Sequence, residues 1–311
     1  MAITKRQLME RVNYLGGSDC SAIMGLSHWQ TPLGVFMAKV FPDHDDSENR
    51  IGGKNEAAYW GNKLEDKVAE AFAEETGKKV YRVKETLIHP YYDFIRANID
   101  RRVIGEDAIL ECKTASSFKA KEWEGEEIPI EYILQVMHYL AVSGKEKGYL
   151  AVLIGGQRFI MKEVDRDEEM IQNLIGKEVE FWNDHILKKE PPAVMGSDRD
   201  GNLLLKLYPE ATPQSSIELP EKFEDMILRR AELIKTGNDF DEKIIEIDNQ
   251  IKAELGKMET GKAGKYLITW KNQSRVSIDG KALKDKYPDV FQSVQKSNSF
   301  RVLRISEAKE N

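Results

Sequence analysis

The sequence predicts an α/β (α+β) protein: a mixed central sheet flanked by helices, then a C-terminal extension made of one long helix and a β-rich tail. Three observations carry this. Two pairs of strand-like runs flank glycine turns: Phe94 to Ile104 and Ala108 to Ala115 around Gly105-Glu106-Asp107, and Gly148 to Ile154 and Arg158 to Val164 around Gly155-Gly156. Segments of helical periodicity alternate with them. After Pro191-Pro192 the composition changes, and a polar stretch leads into an uninterrupted amphipathic run.

In chain order, Thr4 to Arg11 reads as a short helix. The Gly16-Gly17-Ser18-Asp19 turn follows, with a second short helix from Asp19 to Met24. Thr31-Pro32 is a helix start, with Thr31 as N-cap and proline at the first helical position. Gly53 to Thr76 forms a long helix whose Leu64, Val68, Ala71 and Phe72 share a face, stopped by Gly77. Lys79 to Lys84 alternates as a strand, Glu131 to Val142 is helical, and Asp167 to Leu187 is a long helix. The stretches around Gly196 to Gly201 and Pro209 to Ser216 are polar. Pro220 to Lys257 is one helix with an apolar stripe running from Phe223 to Leu255, and Tyr266 to Trp270 and Phe300 to Ile305 are strands. The expected domains are residues 1–212 and 213–311.

Composition narrows the class. With 311 residues, 41% hydrophobic and 32% charged, the chain suits a large globular core. No apolar run approaches the roughly 20 residues that span a bilayer, and Met1 to Arg11 lacks a signal-peptide core. A cytoplasmic protein with no membrane partner is the expectation. Two cysteines, Cys20 and Cys112, exclude a disulfide framework or a cysteine-rich metal cluster. The net charge of −7 argues against nucleic acid on average, but it is uneven. Lys262 to Arg304 carries ten basic residues against three acidic, while Glu218 to Glu259 carries twelve acidic against seven basic. The tail can track phosphates or dock a partner.

The chemistry concentrates on the first hairpin. Asp100 and Glu111 lie on its two arms at similar distances from the turn, and facing positions bring Cβ atoms to about 4.5–5.5 Å. Like charges so placed need a cation between them, and Mg²⁺ takes one or two carboxylates plus water and phosphate. Lys113 shares the face of Glu111 and can orient a water or neutralise phosphoryl charge. The Cys112 carbonyl is a further oxygen donor. Solvated charges on an exposed sheet face fit the same spacing, and Glu-x-Lys recurs at Glu65–Lys67 and Glu307–Lys309. The apolar setting Ile109-Leu110-Glu111-Cys112-Lys113-Thr114-Ala115 favours the functional reading. Lys119 and Lys121, just beyond, can grip a DNA backbone or form a solvated face. Trp29, Trp123 and Trp182 are expected in the core or at interfaces, and His138 in a structural or substrate-edge role.

Asp100 with Glu111-Cys112-Lys113 resembles the core of PD-(D/E)xK nucleases, which have a restriction-endonuclease-like fold. Five ordered blocks resemble, more narrowly, the YqaJ-like viral recombinase family that includes lambda exonuclease. They are Leu15-Gly16-Gly17-Ser18-Asp19, Trp60-Gly61-Asn62-Lys63-Leu64-Glu65, Ala97-Asn98-Ile99-Asp100, the Glu111 strand, and Gln135-Val136-Met137-His138-Tyr139. They span roughly residues 10–190. Ile99 stands where the motif's name has proline, and every charged position is present.

The resemblance implies a Mg²⁺- or Mn²⁺-dependent exonuclease acting 5′→3′ and processively on linear duplex DNA, leaving 5′-phosphates. It also implies a homo-oligomer that forms a ring, a single-strand annealing protein as partner, and a phage or prophage gene in a bacterial host. It makes Glu65 a third acidic group near the metal and places Gln135 beside Lys113. It gives Arg11 and Ser18 the spacing of groups that hold a terminal 5′-phosphate, although Ser18 fits an ordinary helix N-cap equally well. An endonuclease with the same centre and a non-catalytic DNA-binding or assembly protein remain as alternatives. An iron–sulfur nuclease is disfavoured by the cysteine count.

Overall fold

The computed structural model describes residues 10–42, 56–213, 216–263, 265–272, 280–296 and 305. Two compact units divide the chain, Met1–Tyr208 and Pro209–Asn311. Most of the expected Thr4 to Arg11 helix, the start of the Gly53 helix, and the Phe300 to Ile305 strand apart from Ile305 lie outside the described residues.

The first unit begins with a 3-10 turn, Arg11–Asn13, followed by α1 (Gly17–Ile23) and α2 (Pro32–Val40). Thr31 caps α2 as expected, its hydroxyl accepting from the Gly34 amide at 3.0 Å. Next come α3 (Glu56–Thr76), β1 (Val80–Arg82), β2 (Leu87–Ile88), β3 (Arg96–Ala97), β4 (Arg101–Val103) and β5 (Ala108–Ala115). A 3-10 helix, Ser117–Trp123, leads into α4 (Ile130–Ser143), β6 (Lys147–Ile154), β7 (Arg158–Asp165) and α5 (Glu168–Phe181). The last continues as a π-helical turn, Trp182–Leu187, and α6 (Asp198–Leu207) ends the unit.

The sheet runs β1-β4-β5-β6-β7; β5 and β6 are parallel and every other pair is antiparallel. The α4 crossover is what parallel neighbours require. Gly155 and Gly156, both at positive φ, supply the left-handed backbone of the three-residue loop, Gly155 to Gln157, that closes the β6–β7 hairpin. Buried on both faces, β6 is an unbroken apolar run from Tyr149 to Val152. Alternation along β5 then assigns faces. Leu110 packs with Val68, Ala69 and Phe72 of α3, and Ile109 packs with Val136 and Leu140 of α4. Each of these buried side chains other than Ala69 contributes about 1.5–3 kcal/mol relative to exposure.

One expectation is corrected. Phe94 to Ile104 is not one hairpin arm: β3 pairs with β2 in a separate ribbon, and only Arg101–Val103 joins β5. Within the polar stretch near Gly196, α6 is anchored by Asp200, which is fully buried and accepts from the Thr31 hydroxyl and the Met195 amide, each at 2.6 Å.

The second unit comprises α7 (Lys222–Leu255), the β8 (Thr260–Ala263) and β9 (Tyr266–Thr269) hairpin, α8 (Gly280–Lys286) and α9 (Pro288–Val294). The last two helices stand where the sequence reading has only a β-rich tail. No helix among the described residues is long and apolar enough to cross a membrane.

Candidate active site

Strand alternation sends Glu111 and Lys113 to the α4 side of β5, the side of Ile109. Asp100 sits in a bend one residue before β4, and the register Arg101↔Leu110 continued by one step sets it opposite Glu111. Its Oδ2 accepts from the Cys112 amide at 2.9 Å, which fixes the carboxylate beside the strand.

Glu111 is 4% exposed. Its Oε1 accepts from Lys113 Nζ at 2.7 Å and from Gln135 Nε2 at 2.9 Å. Lys113 Nζ also donates to Gln135 Oε1 at 2.9 Å, closing a triangle, and Gln135 Nε2 reaches the Tyr139 hydroxyl at 2.8 Å. Tyr139, which the sequence marks only weakly, thus orients the amide from one turn further along α4.

Burial pushes the Asp100 carboxyl well above the usual carboxylate range, and the negative charges of Glu111 and Glu65 push it further. Burial also opposes the Lys113 ammonium, but Glu111 and Asp100 outweigh it and hold that pKa above its ordinary value. Lys113 is therefore a fixed cation and not a proton acceptor. The Cys112 thiol, raised by burial, stays protonated and packs on the α3 side.

One atom decides whether a metal fits. Glu111 Oε2 is buried without a partner, which costs about 1–3 kcal/mol or more for a charged group. A hard cation between it and Asp100 removes that cost and the like-charge repulsion together. Among the described residues no three His, Cys, Asp or Glu side chains converge as a metal cage. Glu65 stands off because α3 packs on the opposite side of the sheet, where Arg101 also points. Its Oε1 takes Arg101 Nη1 at 2.7 Å and Arg82 Nη2 at 3.2 Å, and both arginines also hold Asp66.

The Arg11 guanidinium donates to Ser18 Oγ at 2.5 Å. Ser18 is not the N-cap of α1: Gly16 is, and Asp19 Oδ2 accepts from the Gly16 amide at 3.0 Å. Gly17 lets α1 lie directly on the centre, since a Cβ there would come within 2.5 Å of the Tyr139 ring and 3.1 Å of Gln135 Cγ. Lys39 pairs with Asp19 at 2.9 Å beneath.

On the other rim, Lys119 lies 4.4 Å from the Trp29 ring centroid, and Trp29 leans on Tyr132, over which Lys113 sits at 5.5 Å. Trp123 and Trp182 are buried, whereas Trp29 is 42% exposed. Lys121 is exposed on the same 3-10 helix. His138 is wholly buried: Nδ1 faces Glu178 Oε1 at 2.8 Å and Nε2 faces the Arg96 carbonyl at 3.0 Å. No spacing in the sequence marks that pair.

The carboxylate pair sets up a trade between stability and function. With metal chelated, Asp100→Asn is expected to stabilise the fold by about 1–2 kcal/mol, since the amide still accepts from Cys112 and no charge is buried. Because the folded pKa of Asp100 is raised, the native parent binds the proton more tightly than the unfolded chain. Its stability therefore falls as pH rises from the ordinary carboxylate value through the folded one, then levels. Thermal unfolding in EDTA across that range checks it, and an asparagine variant with the parent's slope refutes the assignment.

A model of the YqaJ-like viral recombinase domain matches residues 8–146. Over 302 residues the chain is 44% identical to the uncharacterized protein YqaJ of Bacillus subtilis (strain 168), covering 96% of this chain and 93% of that protein. The alkaline exonuclease LHK-Exo, crystallised with dAMP, shares the fold, with a TM-score of 0.51 and 17% identity over 60% of this chain and 94% of that one. A second structure of LHK-Exo, from Laribacter hongkongensis, aligns with a TM-score of 0.48 and 15% identity over the same shares. By the extent of its identity to YqaJ and the match to the domain model, the chain belongs to the YqaJ-like viral recombinase family.

Proposed function

We propose that the protein is a divalent-metal-dependent DNA nuclease that degrades linear duplex DNA from its ends, 5′→3′, during phage-type recombination. The observation that carries this reading is the orphaned Glu111 Oε2 beside Asp100, with the Lys113 ammonium locked alongside by Gln135. Family membership and the exonuclease fold support it.

Asp100 and Glu111 would hold Mg²⁺ or Mn²⁺, with the Cys112 carbonyl, water and substrate phosphate completing an oxygen shell. When bound, the cation supplies Lewis-acid charge at the scissile phosphate and acidifies a water. Lys113, already charged, holds the attacking water in line and neutralises charge growing on the phosphate oxygens. Gln135 keeps that ammonium at one position, and Tyr139 keeps Gln135. Glu65, held by Arg101 and Arg82, adds negative potential and can act as a third ligand only by leaving those partners. Lys119 and Lys121 grip the backbone next to the exposed Trp29. Residues 1–212 are assigned to cleavage and 213–311 to DNA or a partner. A homo-oligomeric ring, an annealing protein as partner and the cytoplasm of a bacterial host complete the proposal.

The test compares the purified chain with Lys113→Ala on linear duplex carrying 5′-phosphate or 5′-hydroxyl ends, with Mg²⁺ or EDTA. Magnesium-dependent loss of the 5′-phosphorylated strand, absent in the variant, is the expected result. Cleavage of closed circles would make the enzyme an endonuclease, and metal-independent binding without cleavage would refute catalysis.

Arg11 and Ser18 make a separate expectation. A charge-assisted hydrogen bond contributes about 1.5–3 kcal/mol, so Arg11→Ala should lower kcat/KM on 5′-phosphorylated ends by roughly ten- to a hundredfold. On 5′-hydroxyl ends the rate should hardly change. An equal loss on both substrates would assign Arg11 to the fold instead.

A further inference from the structure

We infer that α7 pairs with α7 of a second copy of this chain in an antiparallel coiled coil centred between Asn238 and Asp239. The inference concerns the second unit alone and stands whatever the first unit cleaves. The helix runs 34 residues from Lys222 to Leu255, about 50 Å at 1.5 Å per residue. Its large apolar side chains face solvent: Met226 is 59% exposed, Leu233 56%, Phe240 60%, and Ile244 and Ile247 57% each. A stripe of this length needs a partner.

The spacing says which partner. From Phe223 to Glu254 the stripe keeps an alternating 3,4 repeat, the seam of a coiled coil. Laid antiparallel on itself, the seam keeps its register at every layer. Met226 meets the partner's Ile251, Leu233 meets the partner's Ile244, and Gly237 meets the partner's Phe240. Arg230 and Glu254, the two charged seam residues, meet the partner's Ile247 and the partner's Phe223. A parallel pair sets Arg230 against itself, Glu254 against itself, and Gly237 against Gly237 across a void.

Charge agrees with this orientation. Lys222 to Asn238 carries four basic residues and three acidic, net +1; Asp239 to Leu255 carries two basic and six acidic, net −4. Antiparallel halves therefore lie beside the opposite sign. The glycine agrees as well. Mid-helix glycine costs about 1 kcal/mol relative to alanine, and a Cβ on Gly237 would meet nothing within 4 Å. Nothing described in this chain calls for glycine there, whereas a phenylalanine ring from across the axis does. The match cannot close within one chain, because Leu233 and Ile244 lie about 16 Å apart along one continuous helix.

Leu233→Cys/Ile244→Cys in the full chain, mildly oxidised, should run as a covalent dimer on a non-reducing gel. The parent and Ile244→Cys alone should not. By light scattering the parent should contain an even number of copies, and Phe240→Asp should weaken the pairing at least about a hundredfold by burying two unpaired carboxylates. A disulfide confined to the monomer would mean a closed hairpin broken at Gly237 and would overturn the inference. So would a cross-link from Ile244→Cys alone, a monomeric parent, or an odd number of copies.

Discussion

Glu111→Gln is expected to cut metal-dependent cleavage about 10³-fold or more, roughly 4 kcal/mol of transition-state stabilisation, while the fold stays intact. The side chain serves two sets of partners through two oxygens. Oε1 holds Lys113 and Gln135, and an amide oxygen can keep both. Oε2 is the buried atom without a partner, and replacing it with an NH₂ group puts donors where a cation has to sit. Charge and ligand are lost together, whereas packing on the α4 side is unchanged. Titration of Mn²⁺ should show loss of the tight site, and rates on linear duplex should fall in parallel, with the unfolding temperature at or above the parent's. Cleavage within tenfold of the parent would show that the catalytic cation lies elsewhere.

Why Glu111 was legible in the sequence, while its surroundings were not, follows from the range of the forces involved. Strand alternation and a glycine turn are local, so Gly105, the Asp100–Glu111 opposition and the shared face of Lys113 could be read from spacing. The α3 and α4 faces followed from helical periodicity, and the Gly155-Gly156 hairpin from its turn. Contacts between residues far apart carry no such signal. Glu65 is drawn to Arg101, 36 residues later, because both lie on the α3 side of the sheet. Asp200 is buried because the hydroxyl of Thr31, 169 residues earlier, donates to its carboxylate. The break after Phe94 is of the same kind, since β3 pairs with β2 and only β4 pairs with β5. The stripe on α7 was plain in the sequence, but its exposure needed the structure.

His138→Ala should destabilise the first unit by about 3–5 kcal/mol, because removing one partner strands the other's charge in the interior. For a unit of some 200 residues that lowers the unfolding temperature by roughly 10 °C. His138 lies between two acceptors, Glu178 at Nδ1 and the Arg96 carbonyl at Nε2, an arrangement that favours the imidazolium, in which both nitrogens donate. Burial opposes that charge, yet Glu178 and the two hydrogen bonds prevail and raise the pKa above its usual 6.5. A raised folded pKa gives a definite sign: the stabilisation is complete below the unfolded value and is lost as pH rises through the folded one. The parent should therefore weaken as pH rises above the ordinary histidine value, and His138→Gln should lack that slope. The pair ties α4 to α5 and to the strand that leads to Asp100, so its loss should loosen the catalytic register before the sheet melts. Unfolding measured from pH 6 to 9 decides it; a loss under about 1 kcal/mol, or the same slope in the glutamine variant, would mean that the ring is neutral and the pair a simple hydrogen bond.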